Sequence, residues 1–97
     1  MRASACDVEI RFGSFAAGID KRAEAAVEAL LEDEPGIAAV RRSSRGREGE
    51  YALCVSTRSS EDSARLFRRI AESLPGPASA PVTIIGAGGT YSVPTGR

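Results

Sequence analysis

The period of the apolar residues changes several times along this chain, and those changes limit what it can fold into more than any other feature does. Through 6–12 the apolar residues alternate: Cys6, Val8, Ile10 and Phe12, separated by Asp7, Glu9 and Arg11. A period of two is a strand with one buried face. Through 20–33 the period becomes helical, with Ile19, Ala23, Ala26, Val27, Leu30 and Leu31 on one stripe. Asp20 is placed to cap this helix, and Pro35-Gly36 to stop it. A second strand is expected over 37–42, from Ile37 to Arg42. After a polar turn at 43–49 the period is two at 51–56, where Tyr51, Leu53 and Val55 alternate with Ala52, Cys54 and Ser56. A second helix runs over 59–74, opened by Ser59, Ser60, Glu61 and Asp62. Its buried stripe is Leu66, Phe67, Ile70 and Leu74. A fourth strand follows at 82–85, then a GAGG turn, and 90–93 reads as a short strand folding back.

The order strand-helix-strand-strand-helix-strand resembles that of ferredoxin-like domains, the split β-α-β plait. The resemblance implies an α+β fold: a four-stranded antiparallel sheet, extended by the short fifth strand, with two helices on one face and strand order 4-1-3-2. At 97 residues the chain is expected to form one domain over 1–97. The expected core is Cys6, Val8, Ile10, Phe12, Val27, Leu30, Leu31, Leu53, Val55, Leu66, Phe67, Ile70, Val82 and Ile84. Alternation turns Cys6 toward the helices and Cys54 away from them, so the two are expected to stay unbridged. With only two cysteines, no acid-free leader and no long apolar stretch, a cytoplasmic location without a membrane partner is expected.

Composition narrows the function. The formal net charge is zero, so any pull on nucleic acid or an anionic surface must come from a local patch. There is no histidine, the side chain most often used for acid–base work near neutral pH. No cysteine has a base to activate it. The stretch EPGIAAV resembles the entry to the second strand of heavy-metal-associated domains. Their C-x-x-C loop is replaced here by GSFAAG, so no metal or cofactor is expected. Acylphosphatases share the size and element order, but their site needs an asparagine that this chain lacks. RNA-recognition motifs stack bases on sheet aromatics. The open face here is expected to carry Asp7, Glu9, Arg11, Ala52, Cys54, Ser56, Thr83 and Ile85, none of them aromatic. The reading is therefore not an enzyme.

Two charge clusters remain. Glu24, Glu28 and Glu32 repeat every four residues on the first helix, where like charges repel and acids near the C-terminus oppose the helix dipole. Arg41, Arg42, Arg45 and Arg47 follow in RRSSRGR. Solvated surface explains both clusters, and so does a polarised surface that orients a protein partner. The tail VTIIGAGGTYSV resembles the end of the small effector-associated domains of bacterial conflict systems. That likeness implies an adaptor and assigns no residue. The sequence thus favours a non-catalytic protein-interaction module: an adaptor, an immunity-type inhibitor, or a small subunit of a larger assembly whose partner is itself or a larger effector. The alternative is a small-ligand or anion-binding regulatory domain using the GSFAAG loop and the arginine hairpin. Nucleic-acid binding through the 41–47 loop is the weakest option.

Overall fold

In the computed structural model, which describes residues 6–14, 18–46 and 49–96, seven elements follow one another: β1 (Val8–Phe12), α1 (Lys21–Asp33), β2 (Ile37–Ser44), β3 (Tyr51–Thr57), α2 (Ser60–Ser73), β4 (Val82–Gly86) and β5 (Gly89–Ser92). The five strands form one sheet in the order β2-β3-β1-β4-β5, and every pairing is antiparallel. The fold is α+β, and a βαββαβ plait is compatible with it.

Strand alternation builds the core. Val8, Ile10 and Phe12 of β1 lie between Val55, Leu53 and Tyr51 of β3 on one side and Gly86, Ile84 and Val82 of β4 on the other. The same inner row meets Ala23, Val27 and Leu30 of α1 and Leu66 and Ile70 of α2 in one hydrophobic cluster. Leu31 and Phe67, expected in the core, are only partly buried against it, while Ala23, Tyr51, Ala78 and Val93 are added.

The helix ends follow their local chemistry. Asp20 is buried and accepts from the N–H groups of Arg22 and Ala23 at 2.9 and 3.0 Å, capping α1. It also accepts from Ser79 N–H at 2.8 Å, so the cap ties the segment before β4 to the start of α1. Ser59 Oγ accepts from Asp62 N–H and caps α2. Beyond the last turn of α1, Glu34 turns inward, with its side chain 1% exposed. It accepts from Arg69 Nη1 at 2.7 Å, from Arg65 Nη2 at 3.0 Å and from Gly36 N–H at 3.2 Å. An acid that opposes the dipole of its own helix thus clamps α1 to α2.

The cysteine expectation is overturned. Cys6 and Cys54 form a disulfide, with Cα atoms 5.1 Å apart. Cys6 does not belong to β1, which starts at Val8. The chain bends at Asp7, whose carboxylate accepts from Thr57 N–H at 2.8 Å. Alternation holds only inside a strand, so the bend frees Cys6 from the inward row. Cys54 stands on the open face, paired with Glu9. A bond closing 48 residues removes about 4 kcal/mol of unfolded-chain entropy on a loop-closure account. Among the described residues no helix is long and apolar enough to cross a membrane.

Candidate functional site

β2 is the terminal strand of the sheet, and seven of its eight residues are exposed. Its first residue, Ile37, still packs on the core. A register shift between Ile37 and Ala39 marks a β-bulge, after which pairing with β3 is regular from Ala39 to Ser44. In that stretch Val40, Arg42 and Ser44 pair with Val55, Leu53 and Tyr51, so they share the inner face of the sheet. No helix covers them there. Val40 is 45% exposed and is one of only two exposed large hydrophobic residues among those described. The uncovered strip and the flank of α1 enclose a shallow cleft of about 320 Å³, lined by Glu28, Leu31, Glu32, Val40, Arg42 and Tyr51, with Leu53 at its base.

Tyr51 organises one end of this cleft. Its ring is buried against Phe12, with centroids 5.0 Å apart. Its hydroxyl donates to Glu24 Oε2 at 2.7 Å. Burial, and then the Glu24 carboxylate, push the hydroxyl pKa far up, which keeps it a donor. The Arg42 guanidinium lies 3.8 Å from the ring centroid, where the π face attracts a cation. Arg42 is held in the cleft by this ring, and among the described residues it has no carboxylate partner.

The seven residues singled out from the sequence separate into four groups. Glu28, Glu32 and Arg42 meet in the cleft. Glu24 is committed to Tyr51 and lies 3.7 Å from Lys21 Nζ. Arg41 and Arg45 lie toward the open face, Arg41 in register with Cys54. Arg45 donates to Glu9 Oε2 at 3.3 Å, and Arg11 donates to the same oxygen at 2.9 Å. The Arg11 hydrogen bond, opposed by burial and aided by Arg45, holds the Glu9 carboxyl below its ordinary range. Arg47 lies outside the described residues, as does half of the GSFAAG loop, residues 15–17. Only part of the arginine cluster is a loop: Arg41 and Arg42 belong to β2, on opposite faces, and Arg45 follows the end of the strand.

Sequence reasoning missed Val40, Leu31 and Tyr51 as neighbours of the charges. The signal available was the inward parity of Val40 in a strand whose residues after Ile37 are otherwise small or charged. Among the described residues, no hydrogen bond or ion pair links Glu28, Glu32 or Arg41 to another group, and Arg42 has only its ring contact. No group of three or more His, Cys, Asp and Glu among the described residues could hold a metal ion.

A second concavity, of about 530 Å³, lies between α2 and the β4–β5 turn, with Ala64, Phe67, Ala71 and Gly88 in its walls. Gly86 is required beside it: a Cβ there would stand 2.8 Å from Phe67 Cδ2. The turn itself is Ala87-Gly88, with Gly86 paired to Gly89.

No family model matches the chain, and no curated protein and no solved structure matches it.

Proposed function

We propose that this chain is a non-catalytic protein-interaction module of the ferredoxin-like plait, acting as an adaptor, an immunity-type inhibitor or a small subunit, and that it docks through the α1–β2 side. The observation that carries this reading is the exposed edge strand β2 beside a cleft holding charges of both signs that do not pair with each other. An edge offers unpaired N–H and C=O groups as a template for another chain, and exposed charges steer the encounter and select the partner.

The test is the double substitution Arg41→Glu with Arg42→Glu. It should weaken association at least about tenfold, most strongly at low salt, while leaving the circular dichroism spectrum and the melting temperature near wild type. Undiminished association would remove this face as the docking site.

A second reading has one observation in its favour. The groove between α2 and the β4–β5 turn has the size and apolar walls of a small-ligand site. A thermal-shift screen against nucleotides, amino acids and phosphate separates the readings, because a true ligand stabilises in proportion to the logarithm of its concentration. Nucleic-acid binding is disfavoured by the division of the arginines between the two sheet faces. The cytoplasmic expectation rested on the low cysteine count, the acidic N-terminal stretch and the lack of a long apolar run. A closed Cys6–Cys54 bond suits an oxidising compartment, and the proposed active form is the oxidised one.

A further inference from the structure

Building on the interaction reading, we propose that the partner at this face is a second copy of the chain, with the two β2 strands pairing antiparallel about a two-fold axis at Val40. The result is one continuous sheet made of two five-stranded halves.

The register follows from side-chain parity. Directly opposite residues in an antiparallel pair point to the same face, so Val40 can face Val40, and Arg41 can then face Ala39. A two-fold axis at Arg41 would set two guanidinium groups directly opposite each other, and an axis at Arg42 would do the same. Like charges so placed are destabilising. The axis at Val40 avoids both, and it buries the most exposed valine of the inner face against its own copy. The pairs at the axis, Val40 with Val40 and Arg41 with Ala39, lie within the regular part of β2.

The charges argue for a copy of this chain rather than an unrelated strand. α1 runs antiparallel to β2. Glu24, near its start, is bonded to Tyr51, which is in register with Ser44 at the end of β2, while Glu32 is close in sequence to the start of β2. In an antiparallel pair, Arg42 of one copy therefore lies beside the start of the other copy's β2. There it faces the last turn of the second α1, with Glu32 and Asp33. That turn has no basic residue of its own, and its carbonyl ends favour a cation. A two-fold interface must be complementary to itself, and this patch carries both signs at the required separation along the strand. The acids and the arginine that stay unpaired within one chain pair between two.

Sedimentation velocity of the full oxidised chain over a concentration series tests this. The expected result is a dimer that dissociates on dilution. Val40→Lys, which places a charge on the two-fold axis, should give a monomer with an unchanged circular dichroism spectrum. Arg42→Glu should raise the dimer Kd by at least about tenfold. Adding Glu32→Arg to it should recover most of that loss, which a merely local role of Arg42 over Tyr51 would not allow. A wild-type monomer at every concentration overturns the dimer, as does a dimer indifferent to Val40→Lys. If the wild type is monomeric but Arg41→Glu with Arg42→Glu abolishes binding to a different protein, the dimer fails and the interaction reading stands. If neither association responds, both fail.

Discussion

Glu34 shows how one side chain can carry more of the fold than its position suggests. From the sequence it is the last of a run of acids, Glu32-Asp33-Glu34, set against the dipole of α1. Only Glu34 turns inward, where Arg65 and Arg69 reach it from α2 and Gly36 donates its N–H. The Arg65 hydrogen bond, working against burial and assisted by the Gly36 N–H and by Arg69, holds its carboxyl below the ordinary range. A carboxylate with a depressed folded pKa adds stability that is complete above the pKa of the unfolded chain and is lost as pH falls through the folded value. Glu34→Gln should therefore cost about 1–3 kcal/mol near neutral pH and flatten the acid limb of the stability–pH curve. Urea titrations from neutral to acidic pH, on wild type and variant, check both effects. An unchanged acid limb would mean that the clamp does not form in solution. Nothing in the sequence separated Glu34 from its neighbours, because a partner 31 residues away on another helix leaves no local trace. Cys6 failed for the opposite reason. Its alternation with Val8 was plain, but a single bend at Asp7 was enough to cancel it.

At the scale of elements, periodicity was legible and exposure was not. Both helices, their caps at Asp20 and Ser59, and every strand, including the short last one, follow from spacing and end signals. β2 was recognised as a strand, yet its apolar start gave no sign that the rest would lie bare. How far a strand is covered depends on where the helices pack across the sheet, and that is a property of the whole core. The acidic flank of α1 likewise looked uniform, whereas Glu24 is bonded to Tyr51 and Glu28 and Glu32 are exposed. Glu28→Lys isolates the exposed part. It replaces repulsion from Glu24 and Glu32 by attraction, so thermal unfolding should show unchanged stability or a gain of about a few tenths of a kcal/mol. Sedimentation of the same variant should show weaker association. A substantial loss of stability would instead mean that Glu28 supports the fold.

For the whole molecule, the asymmetry between the two sheet edges organises the functional reading. One edge is the four-residue β5, joined to β4 by a tight turn and bordering an apolar groove. The other is the eight-residue β2, flanked by unspent charge of both signs. Short edges resist pairing, and long ones invite it unless they are blunted. The bulge at Ile37/Ala39 and the two arginines blunt β2 against indiscriminate partners while leaving it open to a complementary one. Hydrogen–deuterium exchange, followed amide by amide on dilute and concentrated samples of the oxidised chain, tests this most directly. The account predicts that amides within Ala39–Ser44 of β2 gain protection as concentration rises, while those of β5 do not change. Rapid exchange along the outer edge of β2 at every concentration, or equal gains at both edges, would contradict it.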